Sequence, residues 1–94
     1  MRLDKKELDA ITSSIKELDP QAEIYIFGSR TDPNKKGGDI DILIMSQLLD
    51  NHDKISIKRR IFEKIEEQKI DILIAQDDSD PFVRIALKSG IKIS

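Results

Sequence analysis

Apolar residues along the chain switch between two spacings, and the switches mark the elements. Leu8, Ile11, Ile15 and Leu18 recur every three or four residues, which is one face of a helix. Asp4 with Glu7 three residues later has the pattern of a capping box, and Pro20 closes the segment, so a first helix is expected over about 5–18. Residues 22–27 (AEIYIF) read as a strand, 31–38 (TDPNKKGG) as a loop made wholly of turn residues, and 39–45 (DIDILIM) as a second strand. Helical spacing returns with Ile57, Ile61 and Ile65, with Phe62 beside them, and predicts a long helix over 53–68 with Asp53 at its N-cap. The segment 69–75 (KIDILIA) is a third strand; it nearly repeats the second, but over seven residues this reads as two buried strands rather than a duplication. Asp80, Pro81 at a first helical position and Gly90 just past the end bracket a short helix, and Ile91-Lys92-Ile93 adds a small edge strand.

The order helix, strand, loop, strand, helix, strand, helix predicts an α/β (α+β) fold. Its core is a small mixed sheet of three strands, with helices packed on one face. The first two strands are joined without a full helix and pair antiparallel; the second and third are joined by one and run parallel through a right-handed crossover. The end of the first strand and the starts of the next two then share one edge, where Ser29, Asp39, Asp41 and Asp71 are expected to converge.

That edge carries the candidate chemistry. On a strand, side chains two apart face the same way, so Asp39 and Asp41 stand together with Cα atoms roughly 6–7 Å apart. Asp71 repeats the arrangement on the third strand. Carboxylates gathered in this way repel one another unless a cation joins them, and hard cations such as Mg²⁺ prefer oxygen ligands. Gly28-Ser29 ends the first strand, where a glycine turn brings backbone N–H groups close to an anionic phosphate. Arg30 is within reach of either the phosphate or the acids. Taken alone, a D-x-D on a strand reads more simply as solvated or lysine-paired, and a lone Gly-Ser as an ordinary turn. The combination with Asp71 favours a metal and phosphate site.

Other polar features have simpler readings. Asp77, Asp78 and Asp80 suit helix capping, His52 a solvated turn, Lys58-Arg59-Arg60 a solvated or docking face, and Lys35-Lys36 a soluble loop. The chain of 94 residues, with 16 basic and 18 acidic residues and a net charge of −2, is expected to form one domain over 1–94 without a basic field for nucleic acid. With no cysteine, disulfides and thiolate metal chemistry are excluded. No signal sequence or membrane span is evident, and a cytoplasmic location is the default expectation.

Gly28-Ser29, nine intervening residues, Asp39-Ile40-Asp41 and the later Asp71 together resemble the signature of the nucleotidyltransferase superfamily. The form Gly-Ser-Arg, the small size and the ending from Pro81-Phe82 through Ile85 to Gly90-Ile91-Lys92-Ile93 are similar to its minimal branch. The resemblance implies Asp39, Asp41 and Asp71 as catalytic ligands of two Mg²⁺ ions, and Gly28 and Ser29, with Arg30, as the grip on ATP. It also implies AMP transfer to a tyrosine of a HEPN toxin, with the protein acting as an antitoxin in a hetero-oligomer or as a homodimer. Two departures are the loop TDPNKKGG, poorer in Arg and Ala than is common, and Gly38 where serine is frequent. The alternatives are a non-catalytic antitoxin that covers its partner, and a nucleotidyltransferase acting on a small molecule.

Overall fold

The computed structural model of the chain describes residues 3–28 and 40–94. The elements run α1 (Lys5–Lys16), β1 (Glu23–Phe27), β2 (Ile40–Met45), α2 (Lys54–Phe62), β3 (Ile70–Ala75), α3 (Pro81–Ser89) and β4 (Ile91–Lys92). The four strands form one mixed sheet in the order β3-β2-β1-β4. β1 is antiparallel to β2 and to β4, whereas β2 and β3 are parallel. This is the pairing that the connection lengths predict, with the small edge strand completing it.

Strand alternation divides the sheet into two faces. Ile24 and Ile26, Ile40, Ile42 and Ile44, and Ile70 and Ile72 join Ile11 and Ile15 of α1 and Ile57 and Ile61 of α2 in the main core. Each such side chain contributes on the order of 1.5–3 kcal/mol when buried. The opposite face holds Tyr25, Phe27, Leu43, Met45 and Leu73, and α3 packs on it through Val83, Ala86 and Leu87. The expectation of helices on one face is therefore right for α1 and α2 and corrected for α3. Its apolar stripe matches Leu43, which would otherwise lie bare on the outer face and is instead fully buried.

Capping follows the sequence at two helices and departs at the third. Asp4 accepts from the Glu7 N–H at 2.8 Å while Glu7 reaches back to the Asp4 N–H, and Asp80 accepts from the Phe82 N–H at 2.8 Å. Ahead of α2, Asp53 holds the N-cap position without a side-chain bond into the helix, and the side-chain cap sits one turn earlier, at Asp50. It opens a 3-10 turn over Asn51–Asp53, and the Asp53 carboxylate turns back to the Asp50 N–H at 2.9 Å. α2 also ends at Phe62, short of the expected residue 68. Glu63, Glu66 and Glu67 follow it, and acids at a helix C-terminus oppose the helix dipole.

Polar ties fix the layers to each other. At the end of the sheet marked by Met45, the buried Ser46 hydroxyl donates to buried Asp19 at 2.5 Å and accepts from the Leu49 N–H at 2.9 Å, while Asp19 accepts from the Gln21 N–H at 2.9 Å. Between the helices, Glu17 accepts from Lys64 at 3.0 Å and from Arg60 at 3.4 Å. The Lys64 hydrogen bond is the main cause that holds the Glu17 carboxyl below its ordinary 4.5. A lowered folded-state value stabilises the fold above the ordinary value and loses that effect as pH falls through the lowered one. Glu17→Gln should therefore melt below the wild type at neutral pH, and the gap should close below about pH 4.5. Thermal melts across that range check this, and a gap that does not change with pH would contradict it.

Candidate active site

The parallel ladder of β2 and β3 sets Asp41 directly opposite Asp71. Both lie on the outer face, because Ile40 and Ile42, and Ile70 and Ile72, take the core-facing positions. Asp41 is half-buried and Asp71 exposed. α3 covers Leu43, two residues along β2, and leaves the two carboxylates at the mouth of the strands.

The third part is the end of β1. Phe27 pairs with Asp41 across the antiparallel ladder, and Gly28 follows it. Gly28 has φ +77, in the left-handed region that side chains disfavour. Space is equally decisive: a Cβ added at Gly28 would overlap Oδ2 of Asp41 and lie 3.1 Å from its Cγ. The glycine thus lets the chain leave β1 in a tight bend and lets the Asp41 carboxylate lie against the backbone. A glycine at a strand end points to the first of these needs by itself; the second depends on which residue stands across the ladder.

The structure therefore brings Gly28, Asp41 and Asp71 to one edge of the sheet. Ser29, Arg30 and Asp39, expected at the same edge, lie outside the described residues. Among the described residues no group of three or more acidic, histidine or cysteine side chains is placed to hold a metal ion. Two hollows of about 580 and 520 Å³ lie elsewhere, one along α1 beside Lys5 and Lys64, the other beside Asp19 and Ser46. Asp77 accepts from the Ser79 N–H at 3.0 Å within its own loop, and the Ser79 side chain first, with that N–H second, lowers the pKa of its carboxyl. His52 stands beside the Asp50 cap at 3.2 Å. No helix among the described residues is long and apolar enough to cross a membrane.

Acids on neighbouring strands next to a glycine bend suit a reaction on a phosphorus centre, where catalysis is mostly positioning and charge compensation. The family model for the nucleotidyltransferase domain matches residues 8–93. The chain belongs to that family, and nucleotidyl transfer is its class of activity. Such domains generally use a nucleoside triphosphate and a divalent metal. No curated protein matches the chain.

Gly28→Ala tests the close approach. It should displace the Asp41 carboxylate and strain the bend, lowering nucleotidyl transfer on the order of tenfold or more while the fold survives. Activity measured beside a circular-dichroism melt checks this; full activity would show that the bend tolerates a side chain.

Proposed function

We propose that the protein is a magnesium-dependent nucleotidyltransferase that moves AMP from ATP to a tyrosine hydroxyl of a HEPN-type toxin, and so acts as an antitoxin. The observation that carries the catalytic part is the ladder position of Asp41 opposite Asp71, with Gly28 closed against Asp41. Support for a protein acceptor comes from the likeness of Gly28-Ser29-Arg30 and of the ending Pro81 to Ile93 to the minimal branch of the superfamily.

The residues fit the metal. All the donors are carboxylate oxygens, which suit a hard divalent ion, and Asp41 and Asp71 would hold it together with Asp39. Magnesium bound there supplies positive charge against the phosphoryl oxygens of the reacting nucleotide. Gly28, Ser29 and Arg30 grip the triphosphate and fix the line of attack. The acceptor oxygen approaches the α-phosphorus opposite the bridging oxygen of the leaving pyrophosphate. The new O–P bond forms as the bond between the α-phosphorus and that bridging oxygen breaks, pyrophosphate leaves with the electron pair, and the hydroxyl proton passes towards Asp71, which is more exposed than Asp41.

Incubation with α-labelled ATP, magnesium and the product of the neighbouring gene tests the reading. Label is expected on a tyrosine of the partner, and Asp41→Asn is expected to reduce transfer on the order of a hundredfold or more. Absence of transfer with every divalent ion would count against it. Neutralisation of the partner that persists unaltered in Asp41→Asn would favour steric cover instead.

A further inference from the structure

The chain has four aromatic side chains, Tyr25, Phe27, Phe62 and Phe82, and no tryptophan. Phe62 packs against the main core in the helix layer. Tyr25 and Phe27 lie on the outer face, partly buried around Leu43. Phe82 is the exception: it sits in the first turn of α3, and 55% of it is exposed. Its ring meets that of Phe27 edge-to-face, with centroids 6.2 Å apart and planes at 78°. Such a contact orients a ring without covering both of its faces.

The place of this ring matters more than its exposure. Phe27 immediately precedes Gly28 and stands opposite Asp41, so one side chain separates Phe82 from the Asp41 carboxylate. Phe82 is thus one aromatic contact beyond the residue that faces Asp41 across the ladder. A triphosphate gripped beside Gly28 and Asp41 would carry its ribose and base outward from the carboxylate, to about the reach of that contact. A base needs a flat apolar surface there, and the exposed Ile85, one turn along α3, widens the one that Phe82 provides.

We propose that Phe82 is the stacking platform for the base of the bound nucleotide, held in orientation by Phe27. The inference rests on the nucleotidyl-transfer reading of Asp41 and Asp71. Stacking is tolerant of base identity but favours the larger ring system, so a purine nucleoside triphosphate is the ligand class. Elimination supports the assignment, since no other aromatic ring of this chain is both exposed and beside the carboxylates.

The test compares the full chain with Phe82→Leu and Phe82→Trp, using α,β-methylene-ATP and inorganic tripolyphosphate with magnesium. Leucine keeps the apolar bulk and removes the aromatic face. Phe82→Leu is expected to weaken binding of the analogue roughly 5- to 100-fold and to leave tripolyphosphate binding unchanged. Phe82→Trp should retain binding, and its fluorescence, from the sole indole in the chain, should be quenched by the analogue and not by tripolyphosphate. Equal analogue binding by Phe82→Leu and wild type, as expected if this strip docks a protein instead, would overturn the inference and leave the site reading intact. So would a parallel loss of both ligands. Failure of the wild type to bind either ligand would overturn the nucleotide reading itself, and this inference with it.

Discussion

Parallel pairing of β2 with β3 is the constraint on which the rest depends, because it alone sets Asp41 beside Asp71. Like charges directly opposite in a sheet are unfavourable, by a fraction of a kcal/mol to about 1 kcal/mol. The same ladder aligns Ile40 with Ile70 and Ile42 with Ile72 on the face beneath, and their burial outweighs that repulsion several times over. The isoleucine face thus holds in place an arrangement of acids that would not assemble for its own sake. Local conflict of this kind, tolerated by a consistent surrounding fold, is characteristic of functional sites.

The two faces divide the labour. Beneath the sheet, α1 and α2 seal the main core and are tied together by Glu17, Lys64 and Arg60. Above it, α3 covers Leu43 and leaves the ends of β2 and β3 open. The opposite end of the sheet is pinned by the buried Asp19–Ser46 pair, in which both partners are hydrogen-bonded further to backbone N–H groups. Stability therefore resides below the sheet and at its far end, while the candidate chemistry sits on the part of the outer face that α3 leaves uncovered.

Much of this was legible in the amino-acid order. Period-two alternation in DIDILIM and KIDILIA gave both strands their faces, and the helix between them implied their parallel pairing, so the meeting of Asp41 with Asp71 followed from connection lengths. Other features turned on tertiary choices. Nothing local says whether Asp50 or Asp53 caps the turn before α2, since both are good caps and the answer is that they cap each other. Ile65 continues the helical spacing after α2 has ended and still packs against the core, so the spacing predicts a longer helix than forms. The position of α3 on the outer face is not encoded locally, because an amphipathic stripe shows that a helix packs on something without showing which face of the sheet it meets. The second role of Gly28 needed the register of β1 on β2, which no residue type encodes.

A site held by a hydrogen-bonded ladder has a consequence for how such a chain can vary. The position of Asp71 is set by its neighbours across the sheet, not by the length of the connector that delivers it. The exposed stretch around Glu66 and Glu67 can lengthen or shorten so long as the isoleucines find the same partners and Lys64 and Ile65 keep their contacts with Glu17 and the core. A slip of one residue along the ladder would instead turn Asp71 into the oily layer and an isoleucine out to water, so register errors are rejected by folding before they reach catalysis. Proofreading of the site's geometry is in this sense delegated to the core.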